Sequence, residues 1–300
     1  MSRLILIHGI NNEKNSDKLI REDWTRALAI GASSDPKDFL TGTEIRTAFY
    51  GKLLFDETNS WDGSMDHARH MSASSGASDY ADEDVAALYR EVQKELGVTD
   101  EQVAAYLDED DELSSKRMGK GIHKKWLKAI ARCLEDVVPT KGKFLARRFL
   151  RQAAAYLFKP GLRDSIDSMV LDQVFQNVDS GEETVVISHS LGTIVAYSIL
   201  RRLTLRQPIP LFITAGSPLG IEVVKQRIGG PFLRPESVAN WLNLSDKEDF
   251  VALHPELMKS NFGPAQIENV SSLNNGHEDP HSITRYLSHS VVGQRVMAVL

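Results

Sequence analysis

Cysteine is almost absent from this chain. One thiol, Cys133, occurs in 300 residues, which excludes an intrachain disulfide framework and suits a buried thiol in a reducing compartment. Long apolar runs are missing too. The first, residues 4–7, stops at His8-Gly9 and is too short for the core of a signal peptide. Residues 184–200 hold no Asp, Glu, Lys or Arg, yet they carry Ser188, His189, Ser190, Gly192, Thr193 and Ser198, which suits a buried strand, turn and helix better than a membrane span. A soluble, cytoplasmic protein is therefore expected. Positive charge is not in excess: 35 Lys and Arg stand against 41 Asp and Glu, a net charge of -6, so the chain as a whole is not a nucleic-acid binder. Neither of the glycine patterns that cradle nucleotide phosphates is present, and no cofactor is expected.

What is present is ordinary globular usage, 42% hydrophobic and 25% charged, enough to bury a sizeable core. Short β-branched and aromatic runs mark strands at 3–7, 44–50, 184–187, 211–214, 238–244 and 266–271. Most of the segments between them have helix length. Residues 16–32 set Leu19, Ile20, Trp24, Ala27, Leu28 and Ile30 at roughly helical spacing, and 191–203 continues the third strand in the same way. Alternating strands and helices predict an α/β protein with a reduced, mostly parallel sheet of about six strands flanked by helices.

One interval breaks the alternation. Residues 51–183 separate the second strand from the third by far more than a crossover needs. The interval opens with a Ser/Gly/His-rich stretch, 59–78, read as a loop. It continues through an acidic block, 79–112, and a basic block, 116–163. Helical patterning runs through both, with Val85, Leu88, Tyr89 and Val92 in the first and Ile122, Trp126, Leu127, Ile130 and Leu134 in the second. This predicts a helical insertion at 56–159 within a core formed by 1–55 and 160–300, and a helix over 164–178 returning the chain to the sheet.

The charge blocks have two readings. They are solvated helix faces packing acid against base, or they form an anionic membrane surface. That surface would be built by Lys124, Lys125, Lys128, Lys143, Arg147, Arg148 and Arg151, with Trp126, Phe144, Phe149, Tyr156 and Phe158 interleaved. His67 and His70 have a His-x-x-His spacing, but carboxylate or cysteine partners at ligand spacing do not accompany them, so no metal is expected.

The chemistry-bearing segment is Val185-Val186-Ile187 running straight into Ser188-His189-Ser190-Leu191-Gly192-Thr193 and then an apolar helix. A serine at the apex of such a strand-to-helix turn is held in a strained backbone conformation that lifts its Oγ clear of the sheet. Small residues two before and two after it, here Ser188 and Gly192, let strand and helix approach closely. Ser188 stands where glycine is usual and carries a Cβ.

With this turn the chain resembles the α/β-hydrolase superfamily, in particular its lipase and esterase members, whose nucleophile turns often read Ser-His-Ser-Leu-Gly or Gly-His-Ser-Leu-Gly. The resemblance implies an α/β-hydrolase fold with the helical insertion, lid-like or cap-like, lying before the nucleophile strand. Ser190 is then the nucleophile. The run from Leu4 to Ile10, with His8 and Gly9, is similar to the family's first strand and oxyanion loop, which implies that the backbone amides of Ile10 and Leu191 receive the oxyanion. The family order of serine, acid, histidine places the acid beyond the strand ending near Leu244. Asp249 is favoured there and Asp246 competes. The segment from His281 to Tyr286 resembles the family's His-Ser-x-x-x-Tyr, which favours His281 as base over His277 in a loop and His289 in the closing helix.

The function so implied is cleavage of carboxylic esters, from small molecules or lipids, through a Ser-His-Asp triad and an acyl-enzyme. A peptidase or thioesterase uses the same triad. The alternative is a non-catalytic scaffold that binds a membrane or protein partner through the basic helices.

Overall fold

The computed structural model describes residues 2–36, 38–61, 82–107, 122–138, 145–178, 183–258, 262 and 266–300. The stretch with His67 and His70, the end of the acidic block, and Lys143 and Phe144 of the basic block lie outside the described residues. Six strands form one sheet: β1 (Ser2–Ile7), β2 (Thr43–Ala48), β3 (Thr184–His189), β4 (Ile209–Ala215), β5 (Val238–Asp246) and β6 (Glu268–Leu273). Their order is β2-β1-β3-β4-β5-β6, and every neighbouring pair is parallel.

Alternate side chains of each strand leave opposite faces of the sheet, and both faces are covered. Leu4, Leu6, Val185, Ile187, Leu211, Ile213, Leu242 and Leu244 pack into one apolar cluster with α1 (Asp17–Gly31) and the two C-terminal helices. Ile5, Ile7, Val186, Phe212 and Trp241 pack into the other, which continues through the insertion. Burial on both faces explains why the inner strands read as continuous apolar runs.

Helix α1 starts at an N-cap, Ser16, whose side chain accepts from the Leu19 N–H. Its buried stripe is Ile20, Trp24, Ala27, Leu28 and Gly31. Leu19 and Ile30, expected on that stripe, are 47% and 60% exposed because they sit about 100° off it. Strand β2 is shorter than the expected 44–50, since Tyr50 leaves the sheet and donates its backbone N–H to His8 Nε2.

The helices that follow are α2 (Gly51–Ser60), α3 (Glu83–Glu95), α4 (Asp100–Ala104), α5 (Lys124–Val137), α6 (Leu145–Phe158) and α7 (Leu162–Val174). They pack through apolar side chains. Val85, Leu88, Tyr89 and Val92 share the core with Trp126, Leu127, Ile130 and Leu134. The aromatics expected among the surface lysines and arginines, Trp126, Phe149 and Tyr156, are core residues instead, because an aromatic side chain gains roughly 1.5–3 kcal/mol by full burial. Two of the charged groups show where their partners lie: Arg147 pairs with Glu135 inside the basic block at 3.4 Å, and Glu91 of the acidic block accepts from Val223 N–H at 2.8 Å, part-buried. A network centred on the buried Asp167 ties the insertion to α7 and to Arg202, with Tyr156 Oη donating to Asp167 Oδ1 at 2.7 Å and Arg202 Nη2 donating to Asp167 Oδ2 at 2.5 Å.

After β3 come α8 (Leu191–Leu200), a short 3-10 turn at Pro218–Gly220, α9 (Glu222–Ile228), α10 (Ile283–Leu287) and α11 (Ser290–Met297). Among the described residues no helix is long and apolar enough to cross a membrane.

Candidate active site

A parallel sheet sends every loop from its strand C-termini to one edge, and the crevice there is deepest where the strand order changes direction. In this sheet that point lies between β1 and β3, since β2 was added on one side and all later strands on the other. Ser190 stands there, between the end of β3 and the start of α8, with φ 54° and ψ −131°. A non-glycine residue in this region costs on the order of 1–3 kcal/mol. The turn is held from several sides. Ser190 N–H donates to Ala215 O at 3.0 Å, and Thr193 Oγ1 donates to Ser190 O at 2.7 Å. Ser188 is accommodated because its hydroxyl donates to Ile213 O of β4 at 3.1 Å. The β1 loop meets this turn at backbone distance: a Cβ on Gly9 would lie 2.4 Å from Ser190 Cβ, and one on Gly192 would lie 2.3 Å from His8 O.

His281 and Asp249 face each other at the same edge. His281 Nδ1 lies 2.8 Å from both carboxylate oxygens of Asp249. Asp249 is further held by Val251 N–H at 2.9 Å and by Tyr286 Oη, which donates to Oδ2 at 2.8 Å. The carboxylate therefore fixes the imidazole with its proton on Nδ1 and Nε2 as the open acceptor. Asp246, the competing acid, is engaged elsewhere: Glu248 N–H donates to Oδ1 at 2.8 Å and Asn275 N–H donates to Oδ2. His277 is exposed and meets Glu248 at 2.6 Å, while His289 meets the Asn275 side chain at 3.0 Å. Burial lowers the pKa of His289.

The loop after β1 is ordered by its own side chains. Tyr50 N–H donates to His8 Nε2, so the His8 proton is on Nδ1, which donates to Gly9 O at 2.7 Å. Asn12 Nδ2 donates to Gly9 O at 3.2 Å and to Ile10 O at 2.7 Å. With the Gly9 carbonyl held on that side, the Ile10 N–H of the same trans peptide points the opposite way. Burial drives the pKa of His8 down to about 4, so these bonds persist at neutral pH. Leu191 is the first residue of α8 and its N–H has no acceptor within the helix.

Three features of the site escape a reading of the sequence. His189 Nε2 donates to the backbone carbonyl of His281 at 2.8 Å, and the two rings lie 4.5 Å apart. Burial, first, and the neighbouring His281 hold its pKa well below the usual histidine value. Gly216, at φ 55°, leaves room for the acid and base, since a Cβ there would lie 2.6 Å from Asp249 Oδ2 and 3.0 Å from His281 Nδ1. Tyr286 Oη bridges the two candidate acids, accepting from Asp246 N–H at 2.9 Å while donating to Asp249. A histidine inside the Ser-His-Ser run and a tyrosine five residues after His281 were visible, but their partners are set by folding.

The insertion covers this edge. Phe149 of α6 packs edge-on against Phe250 at 6.0 Å, and Phe250 lies 6.2 Å from the His281 ring. Gln152 of α6 accepts from Asn11 N–H at 3.2 Å. Ser190 is 0% and His281 4% exposed. Other residues line two cavities, one of about 900 Å³ between α3 and α9 and one of about 250 Å³ between α2 and α6. Neither is lined by Ser190 or His281.

The sheet order, the strained serine turn at the switch point and the helices laid over it give this protein the α/β-hydrolase architecture. Comparisons with protein-family models, curated proteins and solved structures found no match. Activity must therefore be argued from the site alone.

Proposed function

We propose that this protein is a serine hydrolase of carboxylic esters. Ser190 is the nucleophile, His281 the general base and acid, Asp249 the residue that orients and stabilises the imidazolium, and the N–H groups of Ile10 and Leu191 the oxyanion donors. His281 Nε2 takes the proton of Ser190 Oγ as the oxygen attacks the ester carbonyl. The tetrahedral oxyanion accepts from Ile10 and Leu191, the latter at a helix N-terminus where negative charge is favoured. Collapse breaks the ester C–O bond, and His281 returns the proton to the leaving alcohol. Water, deprotonated by the same histidine, attacks the acyl-enzyme, and the acid leaves with Ser190 reprotonated.

One observation carries this reading. Ser190 Oγ and His281 Nε2 are buried and have no hydrogen-bond partner among the described residues, although Asp249 fully engages the other ring nitrogen. Leaving a buried polar atom unpaired costs about 1–3 kcal/mol, and such atoms call for a use. The test is labelling with a fluorophosphonate together with turnover of a short-chain ester. Wild type should label, and Ser190→Ala should neither label nor turn over, a roughly millionfold fall in kcat. Labelling that persists in Ser190→Ala refutes the assignment.

A further inference from the structure

His189 is the last residue of β3 and stands immediately before Ser190. Side chains alternate along a strand, so its ring leaves the sheet on the side of Val185 and Ile187, the side covered by α1 and the C-terminal helices. There it meets Trp24 of α1 edge-on at 6.4 Å and lies 4.5 Å from the His281 ring. A carbonyl oxygen only accepts, so the 2.8 Å contact between His189 Nε2 and His281 O places the His189 proton on Nε2.

His281 lies in the loop between β6 and α10, 92 positions along the chain from His189. Asp249 holds its imidazole through Nδ1. That contact fixes one atom of the ring and leaves the main chain behind it to be fixed by something else. The His189 bond does so at His281 itself, and among the described residues no other donor reaches the His281 carbonyl. The base is thus gripped at two points, from the acid loop after β5 and from the nucleophile strand. His189 and Ser190 are neighbours in the chain, and the Ser190 turn is pinned to β4 through Ala215 O. A displacement of the turn therefore carries the anchor of the base with it.

We propose that His189 is a positioning residue for the reaction at Ser190: its Nε2–H ties the His281 main chain to the nucleophile strand, so that His281 Nε2 meets Ser190 Oγ during turnover. This inference rests on the proposed hydrolase reading and adds a residue to that site. The tie puts no charge beside the imidazolium that forms on His281. Burial, first, and the neighbouring His281 hold the His189 pKa well below the usual histidine value, so its ring stays neutral.

The experiment compares wild type with three variants, each checked for folding by circular dichroism. His189→Gln offers an amide N–H where Nε2 stands, His189→Asn offers one that stops short of it, and His189→Leu has no donor. On a short-chain ester, kcat should fall about tenfold to a hundredfold in His189→Asn and His189→Leu, with KM unchanged, and His189→Gln should recover most of the loss. The rate of fluorophosphonate labelling should follow the same order. Proton NMR supplies a readout that needs no turnover. The downfield His281 Nδ1–H resonance, assigned by its loss in His281→Asn, should broaden by exchange with water in His189→Asn and His189→Leu and stay sharp in His189→Gln. A kcat equal to wild type in His189→Asn and His189→Leu overturns the proposal. An equal loss in all three variants also overturns it, because packing of the ring is then the cause. If wild type neither labels nor cleaves the ester, the hydrolase reading fails and the resonance alone decides: a signal as sharp in His189→Asn as in wild type removes the positioning role as well. Should His189→Leu not fold, the comparison of His189→Gln with His189→Asn carries the test.

Discussion

Asp249 and Asp246 are three residues apart and chemically identical, and their neighbours separate their tasks. Asp249 accepts from His281, Tyr286 and Val251, and Asp246 accepts from two backbone amides of adjoining loops. In the proposed mechanism, Asp249→Asn offers the imidazole the wrong tautomer partner, and kcat on a short-chain ester should fall by about 10⁴. Asp246→Asn should act on stability, about 1–3 kcal/mol by urea unfolding, with a much smaller effect on kcat. The reverse ranking in turnover would exchange the two roles. Tyr286→Phe removes a donor to Asp249 and an acceptor for Asp246 N–H together. It should lower kcat roughly tenfold and move the acid limb of the pH–rate profile, a shift that loss of packing alone does not produce.

Helix α6 joins several features that lie apart in the chain. Its Phe149 rests on Phe250 above His281, its Gln152 holds the loop after β1, and its arginines line the neighbouring cavity. Ser190 is fully buried, so the proposed mechanism requires part of this cover to move before an ester can reach it. Hydrogen exchange should therefore report earlier opening in α6 than in β3 and α8. Gln152→Ala, which releases Asn11 N–H, should speed labelling of Ser190 by a bulky fluorophosphonate about threefold to tenfold. Protection of α6 equal to that of β3 would make the insertion a fixed part of the core. The expected interleaving of aromatics with basic residues missed this arrangement. A helical segment with both residue types places them on opposite faces, and only its packing partners say which face is covered.

Across the whole molecule, buried neutral histidines couple stability to pH. His8 is lowered to about 4, first by burial, and His189 is lowered for the same reason. An unfolded chain takes up a proton on each near pH 6.5, whereas the folded protein does not, so stability falls as pH falls below that value. The slope is about 1.4 kcal/mol per pH unit for each group, and His8 alone accounts for about 3 kcal/mol by the time its folded pKa is reached. Asp167 and Glu135, raised by burial, act in the opposite sense nearer the carboxylate range, so the histidine slope is read between about pH 6.5 and about pH 5. The urea midpoint should drop across that window, and His8→Gln should flatten the drop by removing one titration. An unchanged slope in the variant would show that His8 is not one of the groups responsible.

At this scale the sequence determined the alternation of strands and helices, the parallel sheet of six strands, the position of the long helical interval and the serine turn. Each is written in local terms: apolar periodicity, chain reach between strands, and the small residues around Ser190. Strand ends shifted by one or two residues, and β2 ends early where Tyr50 N–H turns to the His8 ring. Tertiary structure alone decided which acid meets His281, that His189 braces its carbonyl, that Gly216 clears space for the pair, and that α6 closes the edge. Those decisions join residues such as 189 and 281 or 11 and 152. The energy that selects such pairs comes from packing and from satisfying buried polar groups, which no neighbouring stretch of sequence contains.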